Sequence, residues 1–326
     1  MTRRFINLTL SVFLLVVAIP AAFADETRPT GQQAVLITGA STGLGRAMAE
    51  LFASQGHFVY AGARKDKDMA ELNAIENIQA VRLDVTDQQQ IDAAVTTITE
   101  AGRGLYGLIN NAGVAVVYPL AAVPMSELAW LMDVNLYGPV KVTQAFAPLI
   151  IAAKGRISTT GSISGILSGN MFGPYSMTKH AMEAFTDSLA SEMEPLGVQV
   201  SIIEPGNYES NIGENVIKRM QSQGYDQADS PYKEIYDRLK DRVAKNEPSG
   251  DPMQVADAAL HAMFDPNPKR RYLVVPNQEQ AGWTIGKAIE ELAQLNMDHE
   301  YSYSREELIE MLDKAMKPAE EAKVSE

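Results

Sequence analysis

Short apolar runs alternate with amphipathic stretches along this chain, and that alternation limits the folds open to it. Seven apolar runs predict buried strands, at residues 35–37, 58–61, 80–83, 105–109, 156–159, 198–203 and 272–275. Amphipathic stretches predict helices between them, among them 44–55, 87–100, 126–151 and 176–194. Strands that alternate with helices build βαβ units. We therefore predict an α/β fold with a doubly wound parallel sheet covered on both faces.

Neither a repeat nor a low-complexity linker divides the chain after its N-terminal segment, so we predict a single domain at 25–276. Two parts stand outside the alternation. Residues 207–250 form a polar insertion that contains Met and Tyr, and residues 277–326 form a helical C-terminal extension.

The N-terminal segment, residues 1–24, has the features of a secretory signal peptide. Arg3 and Arg4 precede a mostly apolar run, 5–19, and Ala22-Phe23-Ala24 forms a small-x-small cleavage signature. The run is short for a membrane span, which needs about 20 residues. We predict an exported, periplasmic protein, with an uncleaved membrane anchor as the alternative.

The composition excludes several classes of chemistry and partner. The chain has no Cys, so disulfides, thiol nucleophiles and cysteine-held metals are excluded. Its formal net charge is -13, and an acidic surface repels phosphate backbones. We predict neither a nucleic-acid partner nor a metal site.

A glycine-rich turn joins the first predicted strand to the first predicted helix. It reads Thr38-Gly39-Ala40-Ser41-Thr42-Gly43-Leu44-Gly45. Glycines permit a tight turn and a close approach to the backbone, while the helix N-terminus offers free N–H groups and partial positive charge. The turn therefore predicts a pyrophosphate site, with a purely structural turn as the alternative.

The end of the second predicted strand bears on the choice of dinucleotide. An acidic residue there would bind the ribose hydroxyls of NAD, whereas an Arg can bind the extra phosphate of NADP. Ala63 stands at the acidic position, and Arg64 and Lys65 follow, with Asp66 close by. A guanidinium pairs bidentately with phosphate. We predict NADP, with NAD possible and an ordinary solvated Arg64 as the alternative.

Further motifs follow at the ends of the expected elements. They are Asp84-Val85, Asn110-Asn111-Ala112-Gly113, Asn135 within a helix, Ser162, Tyr175-Ser176-Met177-Thr178-Lys179, and Pro205-Gly206 with Tyr208 and Ser210. Together with the G-x-x-x-G-x-G turn, this set resembles the short-chain dehydrogenase/reductase family over about residues 34–276. Segments 161–173 and 202–206 look most like its hydroxysteroid and retinol dehydrogenase branch.

The resemblance implies a Rossmann-like fold and an NAD(P)-dependent oxidoreductase that interconverts a hydroxyl and a carbonyl. It assigns Asn135, Ser162, Tyr175 and Lys179 to catalysis, with Tyr175 as the acid/base and Asn135 placing a water beside Lys179. The implied cofactor contacts are Gly39, Ser41, Thr42, Gly43, Leu44, Gly45, Arg64, Asp84, Val85, Asn111, Ala112, Gly113, Tyr175, Lys179, Pro205, Gly206, Tyr208 and Ser210.

The chemistry explains why Tyr175 and Lys179 belong together. A tyrosine hydroxyl can supply the proton that accompanies a hydride, but its unperturbed pKa is about 10. Tyr175 and Lys179 are four residues apart, so on a helix they share one face. We expect the ammonium to lower the pKa of the phenol. Ser162 would stabilise charge that develops on the substrate oxygen.

Two rival functions are open to such a chain. Gly161-Ser162-Ile163-Ser164-Gly165 superficially matches a hydrolase nucleophile elbow, but that motif needs Ser at its third position, which is Ile163. A non-catalytic nucleotide-binding regulatory protein on the same fold is the other. It would be expected to have lost Tyr175 or Lys179.

The substrate cannot be read from these residues. Ile212, Met220, Tyr225 and Tyr236 in the insertion at 207–250 suggest a substrate lid suited to a lipophilic alcohol or ketone. Simple packing of the lid is the alternative. In relatives, the helices that carry Asn135 and Tyr175 often pair across a dimer interface, so a homo-oligomer, dimer or tetramer, is predicted.

Overall fold

The computed structural model describes residues 32–208, 212–222, 229–244 and 250–316. All seven predicted strands are present in one sheet: β1 Ala34–Ile37, β2 Phe58–Ala63, β3 Ile78–Arg82, β4 Gly107–Asn110, β5 Arg156–Thr160, β6 Gln199–Pro205 and β7 Arg271–Val274. Their order is β3-β2-β1-β4-β5-β6-β7, and every neighbouring pair is parallel. The order reverses between β1 and β4. A crevice therefore opens at their carboxyl ends, where such folds bind ligands.

Helices cover both faces of the sheet, which confirms the doubly wound α/β fold. They are α1 Gly43–Ser54, α2 Asp66–Asn73, α3 Gln88–Glu100, α4 Met125–Met132, α5 Gly138–Ala153, α6 Gly173–Met193, α7 Ile212–Ser222, α8 Lys233–Ala244, α9 Met253–Phe264, α10 Gln278–Leu295 and α11 Arg305–Met316. One core lies under α1 and α9 and contains Phe52 and Met263. The other lies under α3, α5 and α6 and contains Ile98 and Phe146.

The helix predicted at 126–151 is not regular throughout. A π-helical turn, Asp133–Tyr137, separates α4 from α5 and carries Asn135. The continuous stretch Met125–Ala153 is long and apolar enough to cross a membrane. However, its Phe146 and Ile150 are fully buried against the sheet, as in the core helix of a globular domain. An inserted residue in a helix is a frequent device at functional sites.

Two of the helices that pack beside the sheet were not predicted from the sequence. Helix α2 buries only Leu72, so its apolar periodicity is weak. Helix α9 packs against α1 through small alanines, including Ala256, Ala259 and Ala262. Alanine is compatible with many elements, and the periodic signal along α9 is therefore faint.

The described parts of the regions outside the alternation contain four helices. The insertion contains α7 and α8, which share a small apolar cluster with two loops of the domain. Its buried members are Val117, Met171, Val216, Met220 and Tyr236. The predicted C-terminal helical extension is confirmed by α10 and α11. The predicted signal segment 1–24, Ser210 and Tyr225 lie outside the described residues.

Candidate active site

The glycine turn between β1 and α1 has a backbone that only glycine permits. Gly39 has φ of +66°, in the left-handed region, and a Cβ there would lie 2.9 Å from the Cα of Ala112. A Cβ on Gly45 would lie 2.4 Å from the carbonyl oxygen of Gly39. The two glycines let the turn fold back on itself and leave space above it for a ligand.

Side chains from β1 and β4 lock this turn in place. The Thr38 hydroxyl accepts hydrogen bonds of 3.0 Å from the backbone N–H groups of Asn111 and Ala112. The Asn111 amide donates to the carbonyls of Thr38 and Gly39, at 3.0 and 3.2 Å. Thr160 donates to the Asn111 Oδ1 at 3.3 Å. Asn111 therefore acts on the shape of the turn.

The N-terminus of α1 is suited to an anion. Thr42 occupies the N-cap position, yet its side chain makes no capping hydrogen bond, and the first turn carries no acidic residue. The first N–H groups of a helix lack partners within the helix, and together they carry partial positive charge. The residues present fit the pyrophosphate of a dinucleotide.

The carboxyl ends of β2 and β3 carry two arginines. The Arg64 side chain is 66% exposed and its Nη1 lies 3.3 Å from Asp84. Burial acts to raise the pKa of Asp84, but hydrogen bonds from Thr86 and Arg64 outweigh it, and the pKa is lowered. Arg82, which sequence reasoning missed, bonds the Arg64 carbonyl and the Asp66 carboxylate. Asp66 is thereby paired with a cation.

Three of the four predicted catalytic side chains meet at the carboxyl end of β5. Ser162 follows β5 and is nearly buried, with its Oγ accepting a 3.1 Å bond from the Ser164 N–H. Tyr175 and Lys179 project from α6, and the Lys179 Nζ lies 5.6 Å from the centre of the Tyr175 ring. The Lys179 ammonium donates to the Thr160 carbonyl at 2.7 Å.

The prediction that the pKa of Tyr175 is lowered is wrong for the protein without a cofactor. Burial raises the pKa of Tyr175 to about 12, and a hydrogen bond with Ser162 only partly opposes this. Burial also lowers the pKa of Lys179 to about 8, while Glu183 acts to raise it. Desolvation disfavours the charged form of each group, and it is the largest effect on both pKa values.

The fourth predicted residue, Asn135, lies behind the other three. Its Oδ1 accepts from the Val114 N–H at 2.8 Å, and its Nδ2 donates to the Val114 carbonyl at 2.8 Å. The same Nδ2 donates to the Thr178 hydroxyl at 3.1 Å. Its side chain thus joins the π-helical turn to the loop after β4 and to α6. The water beside Lys179 stays a prediction.

One cavity of about 310 Å³ extends from Arg64, past the glycine turn, to Ser162, Tyr175 and Lys179. The predicted residues that line it are Gly39, Ser41, Thr42, Gly43, Leu44, Gly45, Arg64, Asp84, Val85, Asn111, Ala112, Gly113, Ser162, Tyr175, Lys179, Pro205, Gly206 and Tyr208. Asn135 does not reach it. Ile212, predicted as part of the lid, also lines it. Thr160, Val134 and Asn215 line it without having been predicted, because no motif marks them.

A second cavity, of about 160 Å³, lies under the insertion. Its lining is mostly aromatic and apolar, and includes Tyr118, Met171, Met220, Tyr232 and Tyr236. No group of three or more His, Asp or Glu residues is placed to hold a metal within the described residues.

Comparison with known proteins decides the family. The family model for short chain dehydrogenase matches residues 33–221. The chain belongs to this family. It is 34% identical over 271 residues to the mitochondrial D-beta-hydroxybutyrate dehydrogenase of Bos taurus, covering 77% of this chain and 79% of that protein. It is 35% identical to retinol dehydrogenase 7 of Rattus norvegicus, covering 76% and 80%.

Two further matches agree with this short-chain dehydrogenase assignment. The NADPH-dependent 3-dehydrocapnine reductase of Ornithobacterium rhinotracheale is 35% identical, with 74% of this chain and 88% of that protein covered. The crystal structure of a short-chain dehydrogenase from Streptomyces avermitilis superposes with a TM-score of 0.71 at 27% identity, over 82% and 96% of the chains. The predicted resemblance to the hydroxysteroid and retinol dehydrogenase branch is confirmed. This chain is an NAD(P)-dependent oxidoreductase that acts on CH–OH groups.

Proposed function

We propose that this short-chain dehydrogenase prefers NADP and interconverts a lipophilic alcohol and the corresponding carbonyl compound, with Tyr175 as the acid/base. The observation that carries the proposal is one continuous cavity. It has Arg64 at one end, the glycine turn in the middle, and Ser162, Tyr175 and Lys179 at the other end.

Residues of this chain account for the proton that reaches the carbonyl oxygen when the hydride reaches its carbon. When bound, the cofactor supplies or accepts the hydride. In the reducing direction, the Ser162 and Tyr175 hydroxyls donate hydrogen bonds to the carbonyl oxygen, and Tyr175 gives up its proton as negative charge develops there. The buried Lys179 ammonium stabilises the phenolate left behind. The Thr160 carbonyl orients that ammonium.

The preference for NADP rests on charge at the ends of β2 and β3. Ala63 offers no carboxylate to ribose hydroxyls, and Asp66 is engaged by Arg82. Arg64 is largely exposed and lines the cavity, so its guanidinium is available to a phosphate. One relative of this chain is an NADPH-dependent reductase, which agrees with this assignment.

The lipophilic substrate rests on the insertion, which we propose as a lid at 207–250. Ile212 and Asn215 of α7 line the main cavity, and Met220 and Tyr236 line the smaller one. Met220 and Tyr236 are also buried in the lid's own apolar cluster, so packing accounts for part of their role. A relative that is a retinol dehydrogenase supports an apolar substrate.

The decisive experiment is reduction of a panel of aliphatic and aromatic ketones with NADPH by wild type and Tyr175→Phe. We expect kcat to fall on the order of 10²–10⁴-fold in the variant, because the proton donor is lost. NADPH affinity should fall far less than kcat, because the glycine turn and Arg64 are unaltered. Tyr137→Phe, which changes an exposed tyrosine, should keep the wild-type rate.

The same assay separates an enzyme from a non-catalytic nucleotide-binding protein. Equal rates in wild type and Tyr175→Phe would contradict the proposed mechanism. Binding of NADPH with no turnover of any substrate in the panel would favour the regulatory alternative.

We also propose that residues 1–24 direct export to the periplasm and are removed. The Arg pair, the apolar run and Ala22-Phe23-Ala24 support this. N-terminal sequencing of the protein recovered from its native compartment should begin at Asp25. An intact N-terminus in a membrane fraction would favour an anchor instead.

A further inference from the structure

Behind Lys179, four more charged side chains gather between α6, β6 and β7. Glu183 and Asp187 follow Lys179 on α6, Glu204 lies on β6, and Arg271 begins β7. The Arg271 guanidinium donates to Asp187 Oδ2 at 2.6 Å, to Glu204 Oε1 at 3.1 Å, and to Glu183 Oε2. The proposed mechanism uses none of these four groups.

The cluster contains three carboxylates and one guanidinium, and two of the carboxylates are largely buried. The Glu204 side chain is 4% exposed and that of Glu183 is 14% exposed, whereas that of Asp187 is 52% exposed. The Glu183 Oε1 atom is buried and has no hydrogen-bond partner among the described residues. Two adjacent buried carboxylates that face one guanidinium repel each other strongly, and a single proton between them relieves this.

Among the described residues, the charged groups recorded around Glu183 lie on three elements. Lys179 and Asp187 face it from its own helix, Glu204 from β6 and Arg271 from β7. The turn Ile163–Gly165 packs on its remaining side and has no titratable side chain. A Cβ on Gly165 would lie 2.5 Å from Glu183 Oε1, so the turn closes over the carboxyl group.

Electrostatics link this carboxyl group to Lys179. Burial and the neighbouring Glu204 raise the pKa of Glu183 to about 7, against the effect of Arg271. In turn, Glu183 acts to raise the pKa of Lys179, against the burial that lowers it to about 8. The charge on Glu183 therefore changes in the pH range where the charge on Lys179 matters.

We propose that Glu183 and Glu204 share one proton in the folded protein, and that loss of this proton strengthens the ammonium form of Lys179. Glu183 is then a positioning residue that acts on Tyr175 through Lys179. This role in catalysis rests on the proposed function, whereas the shared proton and its effect on Lys179 do not.

The first test needs no substrate. Carbon-13 NMR titration of the cofactor-free protein, labelled at Glu Cδ and Lys Cε, should show one Glu signal that titrates near pH 7. That signal should disappear in Glu183→Gln. The Lys179 signal, which is assigned by its loss in Lys179→Arg, should titrate about one pH unit lower in Glu183→Gln than in wild type. Asp187→Asn removes another carboxylate from Arg271 at an exposed position, and it should leave both signals unchanged.

Stability provides a second readout of the same proton. The folded pKa of Glu183, about 7, lies above its ordinary value of 4.5. The stabilising contribution of the protonated form is thus complete below pH 4.5 and is lost as the pH rises through about 7. The Tm of wild type should fall relative to that of Glu183→Gln between pH 5 and pH 8. Glu204→Gln should abolish the same titration, and it replaces Glu183→Gln if that variant does not fold.

With an active substrate, the alkaline limb of the pH profile of kcat for alcohol oxidation should move about one pH unit lower in Glu183→Gln. Asp187→Asn should keep the wild-type profile. Absence of a Glu signal titrating between pH 6 and pH 8, or a Lys179 titration identical in wild type and Glu183→Gln, would overturn the inference. Retention of activity in Tyr175→Phe would overturn the proposed function alone.

Discussion

Cofactor preference is the property that we assign to a single side chain. Arg64 is largely exposed and only loosely paired with Asp84, at 3.3 Å. A charge-assisted hydrogen bond contributes about 1.5–3 kcal/mol, so Arg64→Gln should weaken NADPH binding by about 10–100-fold. NADH affinity should stay the same. Fluorescence titration with both nucleotides checks this, with the exposed Arg270→Gln as the control.

An equal loss of NADH and NADPH affinity in Arg64→Gln would mean that Arg64 supports the fold of the site.

Residue types and their spacing predicted which side chains meet at the candidate catalytic site, but they did not predict the pKa values of those side chains. The spacing of Tyr175 and Lys179 correctly put both on α6, one turn apart. It did not predict that burial would raise the pKa of Tyr175, because desolvation depends on what covers the hydroxyl. The Thr160 carbonyl that holds Lys179 was also not predicted, since any residue has a carbonyl.

At the scale of elements, the turn between β1 and α1 needs glycine at position 45. In Gly45→Ala the Cβ would meet the Gly39 carbonyl oxygen and the Asn111 amide at 2.4 Å. Because the obstacle is partly backbone, the turn must shift, and we expect cofactor binding to be lost by calorimetry. Gly286→Ala, on exposed α10 with open space around it, should bind normally and gain about 0.5–1 kcal/mol of stability.

Helix α7 of the proposed lid is attached to α4 by a composite contact. Arg219 forms a bidentate ion pair with Glu127, and its guanidinium lies 3.8 Å above the Trp130 ring. Arg219→Gln should weaken this attachment by about 1.5–3 kcal/mol, the contribution of a hydrogen bond to a charged group, and we expect KM to rise by about 10–100-fold. Since none of the predicted catalytic side chains takes part in this contact, kcat should change little.

Lys218→Gln is the matched control for Arg219, because Lys218 neighbours it on α7 and pairs with Glu214 at the surface. A KM that is equal in wild type and Arg219→Gln would show that α7 does not limit access to the substrate.

At the scale of the whole molecule, the C-terminal extension exposes several large apolar side chains, which can mark an interaction surface. Trp283, Ile289 and Leu292 on α10 are each about half exposed or more. We expect a homo-oligomer in solution, with a mass by light scattering that is a multiple of the monomer mass. Ile289→Gln combined with Leu292→Gln should reduce the mass if α10 forms the interface, whereas Glu290→Gln should not.

A monomeric mass for the wild type across the micromolar range would contradict the predicted homo-oligomer. An oligomer that persists in the double variant would place the interface elsewhere, for example on the helices that carry Asn135 and Tyr175.

The sequence by itself determined the layered sheet, the glycine turn and the order of the motifs. These features depend on periodicity and on residues close together in the chain, where local sterics and alternation act directly. The seven strands and the regions of the main helices were therefore predictable, while the π-helical turn at Asn135 and the alanine-rich α9 were not.

Only the tertiary structure decided which distant side chains meet and what charge they carry there. Arg271 reaches Glu183 and Glu204 across 88 and 67 residues of chain, and Arg82 reaches Asp66 across 16. No local pattern encodes such contacts. The protonation of Glu183, Tyr175 and Lys179 depends on burial and on these neighbours, which exist only once the sheet and its helices have assembled.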